Sequence, residues 1–247
     1  MKDDLAGRVI AVTGATGGIG RALCHAVAQR GAQVILLARN EARLRALHAE
    51  LEIVSPGAAL MAPLDLEKAV AGDYDRIAAA VEDRYGRLDG LVHCAALLGT
   101  LTPVELYEVP TWCRVMHVNV TAAFALTQVL LPALRRSPDA SVIFTSSSVG
   151  RKGRAHWGAY AVSKFALEGL SESLAAEVAP LGISVTIAEP APRDTLPSSL
   201  PTGLDAVPLK LTLVGARCQS GKVSTEVKSV SAAPVFCNSG EPVNTRF

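Results

Sequence analysis

The chain lacks an excess of charge of either sign. Its 24 Lys+Arg against 23 Asp+Glu leave a net +1, too weak a field to draw it to nucleic acid or an anionic membrane, so the expected partner is a small molecule. A cysteine framework is missing as well. The five cysteines (Cys24, Cys94, Cys113, Cys218 and Cys237) are odd in number, widely spaced and without a C-x-x-C pair. That pattern fits reduced thiols in a cytoplasm and supports neither a disulfide scaffold nor a metal site. The opening MKDDLAGRVIAVTG has acidic residues and no apolar stretch ahead of a cleavage site, unlike a signal peptide. No uninterrupted apolar run approaches the ~18 residues of a membrane span. These absences predict a cytoplasmic protein with no metal, nucleic-acid or membrane partner.

What is present is a core. At 247 residues and 49% hydrophobic, the chain can bury one sizeable interior as a single α/β domain. Short apolar runs (Arg8 to Thr13, Gln33 to Ala38, Ala58 to Ala62, Leu88 to Val92, Ser141 to Thr145 and Ile183 to Ala188) suit strands buried on both faces. Between them lie helical stripes: Ile19, Ala22, Leu23, Ala26, Val27; Met116, Ala123, Leu126, Leu130, Ala133; and Leu167, Leu170, Leu174, Val178. The alternation predicts a doubly wound parallel sheet of Rossmann type, helices on both faces, in the order 3-2-1-4-5-6. Pro63, which follows the third run, agrees with an edge strand there. From about Thr195 the pattern fails. We therefore expect a dinucleotide-binding catalytic domain over 1–195 and an atypical, loop-rich end of the same domain over 196–247, with one candidate strand, Leu209 to Val214.

The first run leads into Thr13-Gly14-Ala15-Thr16-Gly17-Gly18-Ile19-Gly20, where a helical stripe begins. Glycines let the backbone turn sharply and approach a pyrophosphate, and the helix N-terminus offers free N–H groups and a favourable dipole. A tight turn with no ligand is the competing reading, but strand before and helix after supply the context the motif needs. About twenty residues on, an NAD site would place an acid on the ribose; here stand Ala38-Arg39-Asn40. Arginine can fork onto a 2′-phosphate, so NADP(H) is favoured over NAD(H), against the alternative that Arg39 is a solvated loop charge. Asp65-Leu66 would meet the adenine edge. Cys94-Ala95-Ala96 would supply small residues where a cofactor passes closely.

The fifth run ends in Ser146-Ser147-Ser148, at the sheet end where open α/β folds bind ligands. Beyond it, Tyr160 and Lys164 are four apart, on one face of a helix. A tyrosine near its ordinary pKa of ~10 is a poor base, and an adjacent ammonium favours its phenolate. Tyr160 could then take a proton from an alcohol or give one to a carbonyl, with a serine holding the oxygen. Asn119 lies in line with an apolar stripe and is either functional or a satisfied core amide. The serine run has no partnered His and Asp and no G-x-S-x-G, which argues against hydrolysis.

On these residues the chain resembles the short-chain dehydrogenase/reductase family. Thr13 to Gly20 match its T-G-x-x-x-G-I-G, Tyr160 to Lys164 its Y-x-x-x-K, and Asn119 its helix asparagine. The family's serine, thirteen residues before the tyrosine, selects Ser147. The resemblance implies Tyr160 as acid/base, Ser147 orienting the substrate oxygen, Lys164 lowering the tyrosine pKa and holding the nicotinamide ribose, and Asn119 supporting a water relay. It implies a small carbonyl or alcohol substrate and a possible homo-oligomer, and the stretches HCAALLG and TSSSVGRKGRAHWGAYAVSKFALEG look most like a bacterial branch. Three departures stand out. His93-Cys94-Ala95-Ala96 replace N-N-A-G, keeping the backbone but losing two amides. Pro190-Ala191 replace Pro-Gly. The later helix and seventh strand have no recognisable counterpart after Thr195. Two rival readings therefore stay open: a catalytically impaired nucleotide-binding protein, and an altered-end product lacking a complete substrate pocket. His25 and His48 are expected at the surface, His117 in packing, and His156 with Trp157 near the substrate or merely packed.

Overall fold

In the computed structural model, residues 5–190, 209–219 and 222–231 are described. Six parallel strands, β1 (Val9–Thr13), β2 (Gln33–Ala38), β3 (Ala59–Pro63), β4 (Gly90–His93), β5 (Ser141–Thr145) and β6 (Ser184–Pro190), form the predicted sheet in the order β3-β2-β1-β4-β5-β6. Pro63 ends the outermost of them, paired with Ala38, where the missing N–H costs no ladder bond on the open side. Helices α1 (Gly18–Ala28), α2 (Glu41–Val54), α3 (Ala71–Tyr85), α4 (Val109–Met116), α5 (Ala122–Leu134) and α6 (Gly158–Val178) flank it.

Period-two strand geometry explains the two cores. Along β2, Ile35 and Leu37 join one apolar cluster with Leu126, Leu130, Phe144 and Leu167, while Val34 and Leu36 join another with Leu44, Leu47 and Leu51. Both faces of the strand are buried, which is why these runs read as continuous rather than alternating. Local chemistry sets the helix ends. The Asn40 side chain accepts from Arg43 N at 2.9 Å to start α2, and Gly86, at φ +67°, closes α3 in a left-handed turn.

Between α4 and α5 the chain does not break. His117–Thr121 form a single π turn, closed by Ala122 N on His117 O, so Val109–Leu134 is one helical run. By length and composition alone it would suffice to cross a membrane; here Leu126, Leu130 and Leu134 are buried against the sheet.

At the amino ends of the strands, Asp89 is a buried hub. Its carboxylate accepts from Val9 N (2.8 Å), Ser137 Oγ (2.6 Å) and Arg87 Nε (3.2 Å). Burial alone would raise its pKa, but these donors outweigh it and hold the carboxyl below its ordinary range.

Beyond β6 the structure is more regular than the sequence pattern. The candidate strand Leu209 to Val214 extends to β7 (Leu209–Gln219), antiparallel on β6, and β8 (Lys222–Ser231), not expected from sequence, pairs antiparallel with β7. The sixth strand is therefore not an edge. The remainder of the segment after Thr195, and Ala191, lie outside the described residues.

Candidate active site

A cleft opens where the strand order reverses, between the carboxyl ends of β1 and β4, the place where such sheets bind ligands. It is lined by Gly14, Thr16, Gly17, Ala38, Arg39, Asp65, Leu66, Cys94, Ala95 and Ala96. Gly14 has φ +63°, and a Cβ there would lie 2.8 Å from Ala95 N. A Cβ on Gly20 would meet Gly14 O at 2.2 Å, so only glycine lets α1 pack onto the turn. Gly18, Ile19 and Gly20 form the first turn of α1, and its N-cap, Gly17, offers no side-chain cap. Those N–H groups are left for an anion. A bare cradle and an uncapped helix start fit a dinucleotide pyrophosphate.

Thr13, which the site expectations left out, joins the two strands. Its Oγ1 accepts from Cys94 N (3.1 Å) and Ala95 N (3.2 Å), so the backbone after β4 is held although His93 and Cys94 replace amides. His93 turns away from the cleft. It is buried, stacks on Phe144 at 4.8 Å, and its Nε2 lies 2.8 Å from Thr127 Oγ1. Because that hydroxyl donates to Ala123 O at 2.8 Å, Nε2 must be the donor. Burial, with the Lys164 charge adding, pushes the imidazole down to about 3. At the opposite end of the cleft, Arg39 Nη1 lies 3.7 Å from Glu67 Oε2, while Glu67 Oε1 takes Arg114 Nε at 2.9 Å.

The three serines after β5 have separate fates. Ser146 is buried and donates to Glu168 Oε1 at 2.6 Å. Ser147 acts on the Tyr160 hydroxyl, favouring its ionised form. Ser148 is exposed and begins a 3₁₀ turn to Gly150. Tyr160 stands in the first turn of α6, and Lys164, one turn on, is fully enclosed. Its Nζ donates to Thr145 O at 2.7 Å and lies 5.4 Å from the Tyr160 ring centroid. Burial brings the ammonium down to about 8. Burial raises the Tyr160 phenol above its ordinary range, opposed by Ser147, so the proton is held tightly in this state.

Asn119 sits within the π turn, buried. Its Oδ1 accepts from Leu97 N at 2.7 Å, and Nδ2 donates to Leu97 O and Ser163 Oγ, both at 2.9 Å. Ser163 in turn donates to Tyr160 O at 2.7 Å. Both amide protons are spent tying the segment after β4 to α6. A relay through this residue would have to use its backbone. Ser163 and Glu168 escaped sequence reading, and only their place beside Lys164 on α6 hinted at them. Pro190 ends β6, half-buried. Of the histidines expected at the surface, His25 is half-buried and pairs with Glu50 at 3.0 Å, and His48 lies 3.7 Å from Glu52.

A cleft at the switch point, with a serine just after β5 and a tyrosine and lysine on α6 of the same sheet, defines a dinucleotide-dependent oxidoreductase fold. The chain belongs to the short-chain dehydrogenase family, whose model matches residues 8–198. It is 42% identical over 223 residues to the uncharacterized oxidoreductase YciK of Escherichia coli K12, covering 87% of this chain and 88% of that one. A short chain dehydrogenase structure from Pseudomonas syringae is 50% identical with a TM-score of 0.73, covering 74% of this chain and 76% of that one. Another, from Shigella flexneri 2a in complex with NADP, is 45% identical with a TM-score of 0.70, covering 72% and 74%.

Proposed function

We propose that this chain reduces a small carbonyl compound to an alcohol, with NADPH preferred over NADH and Ser147, Tyr160 and Lys164 as its catalytic residues. The observation that carries the reading is Tyr160, with Ser147 acting on its hydroxyl, beside the enclosed Lys164 ammonium 5.4 Å from the tyrosine ring. When bound, the nicotinamide supplies hydride to the carbonyl carbon. Ser147 holds the oxygen, and Tyr160 delivers the proton to it. A phenol whose proton is held by burial is the donating form, which sets the site for reduction. Lys164 keeps a positive charge beside the tyrosine and stabilises the phenolate left after transfer. Asn119 holds Leu97 and, through Ser163, the start of α6.

Gly14 to Gly20 would hold the pyrophosphate, Asp65 and Leu66 the adenine, and Cys94 to Ala96 with Pro190 would flank the path to the nicotinamide. Arg39, at the cleft rim and shared only with Glu67 among the described residues, favours a 2′-phosphate, in keeping with the NADP held by the Shigella relative. We read 1–195 as the catalytic domain and 196–247 as its atypical end, because β7 continues the same sheet.

Calorimetric titration with NADPH and NADH tests the cofactor, and NADPH consumption with a carbonyl panel tests the chemistry. Tight NADPH binding, weak NADH binding and loss of turnover in Tyr160→Phe are expected. Unchanged turnover in that variant would remove the mechanism.

A further inference from the structure

The chain is poor in aromatic residues, with two tryptophans, four tyrosines and five phenylalanines, yet both tryptophans stand at the mouth of the Tyr160 site. The Trp157 ring meets the Tyr160 ring edge-on at 6.1 Å. Trp112, on α4, meets Tyr107 edge-on at 6.0 Å. A Cβ added at Gly158, two residues before Tyr160, would lie 3.6 Å from Val104 Cγ2 and 3.8 Å from Trp112 Cζ3. Val104 and Trp112 therefore flank the start of the helix that carries the tyrosine.

The apolar surface runs outward from there. Leu101, Val104, Leu106 and Val109 are 49%, 75%, 68% and 71% exposed, and no other nine-residue stretch within residues 5–190 exposes four large apolar side chains. Scattered exposed aliphatics are ordinary, but a contiguous run beside a reactive group marks a contact surface.

The backbone is held to keep this arrangement. His156 is the one non-glycine residue with positive φ (+71°) among the described residues, a conformation adopted at a cost and retained where surroundings enforce it. Here Thr102 N donates to His156 O at 3.1 Å, joining the apolar segment to the residue before Trp157. Charges near the mouth are of both signs: Glu105 and Glu108 in the apolar segment, Lys152 and Arg154 before Trp157, with the Arg154 guanidinium 5.7 Å over the indole. They offer no net preference for an ionic substrate.

We propose that the site takes an uncharged ketone or aldehyde whose carbonyl carries an apolar chain or ring, laid against Trp157, Val104 and the rest of residues 101–109. This rests on the oxidoreductase reading above. The carbonyl carbon gains the hydride of NADPH, the π pair of the C=O bond moves to oxygen, and that oxygen takes the Tyr160 proton. The ketone is reduced and NADPH is oxidised to NADP⁺.

The test is NADPH consumption by the full chain with the 2-alkanones from 2-butanone to 2-decanone, beside pyruvate and 2-oxooctanoate. We expect kcat/KM to rise about threefold per added methylene, and Val104→Asp to lower the 2-decanone to 2-butanone ratio about tenfold. A flat series, or 2-oxo acids outrunning 2-alkanones of similar length, overturns the substrate class and leaves the oxidoreductase reading standing. Where none of these compounds is reduced, tryptophan fluorescence decides, since both tryptophans report from this mouth. Saturable quenching by 2-decanone with NADP⁺ present, and none by 2-butanone, would sustain the apolar site and sink the chemistry. No quenching by either would sink both.

Discussion

Ser146 and Ser147 are neighbours with opposite errands, and substitution separates them. Ser147→Ala removes the hydroxyl shared with Tyr160 and is expected to lower kcat about 10²- to 10³-fold, the usual loss for one oxyanion donor, with the melting temperature little changed. Ser146→Ala removes the 2.6 Å bond to Glu168 and leaves that half-buried carboxylate one donor poorer, with Arg151 Nε still 3.4 Å away. It should cost ~1–2 kcal/mol in urea unfolding and little turnover. Reversed effects would mean that the wrong serine has been placed in the mechanism. Lys164 makes a second prediction at this scale. Its ammonium, brought down to about 8 by burial, must stay protonated beside Tyr160. The kcat/KM for reduction should therefore fall as pH rises through about 8, and a profile level to pH 10 would refute the role. These two residues were legible in the sequence because Y-x-x-x-K imposes its own spacing on one helix face. The serine was not legible from its own chemistry. Three adjacent hydroxyls look alike until the thirteen-residue spacing of the family, and then the Glu168 contact, tell them apart.

Elements are held by side chains that bond backbone, and such bonds leave no periodic signature. Asn119 binds both the N–H and the C=O of Leu97 and reaches Ser163. Asn119→Ala should strip partners from two backbone groups at once and cost ~2–4 kcal/mol in chemical denaturation, with a loss of turnover larger than the lost stability explains. A neutral variant would show that another group holds Leu97. The π turn beneath Asn119 was invisible to a helical stripe, because the seven-residue spacing of Met116 and Ala123 reads as unbroken α-helix. β8 was missed for a related reason: KVSTEVKSVS has too few large apolar residues to stand out, and its pairing comes from the β7 ladder. The first six strands were legible because they are short and apolar, although β3, at the edge, leaves Met61 and Pro63 exposed.

Across the whole molecule, the pH dependence of stability has a particular window. His93 is buried neutral with its pKa down at about 3, whereas an unfolded histidine titrates near 6.5. Between those values the unfolded chain binds a proton that the folded chain does not, so stability falls as pH drops below about 6.5. At pH 5 the loss should be ~2 kcal/mol. Asp89 and Glu50, held below the ordinary carboxylate range, add their losses only at lower pH. His93→Gln should flatten the curve between pH 6.5 and 5, as read from urea midpoints; an unaltered slope would place the titration elsewhere. The same experiments address the sheet as a unit. With β7 on β6, a melt followed by circular dichroism should show one cooperative transition, and a broad one would favour an incompletely folded product.

The π turn at His117–Thr121 also sets a phase. A regular helix advances about 100° per residue, so the one residue it accommodates rotates everything downstream by that angle relative to an unbroken α-helix. Winding the same residues as an unbroken α-helix would make the run from Val109 more regular and, by the same stroke, swing Leu126 and Leu130 off the sheet. Perfecting the helix would dismantle the core.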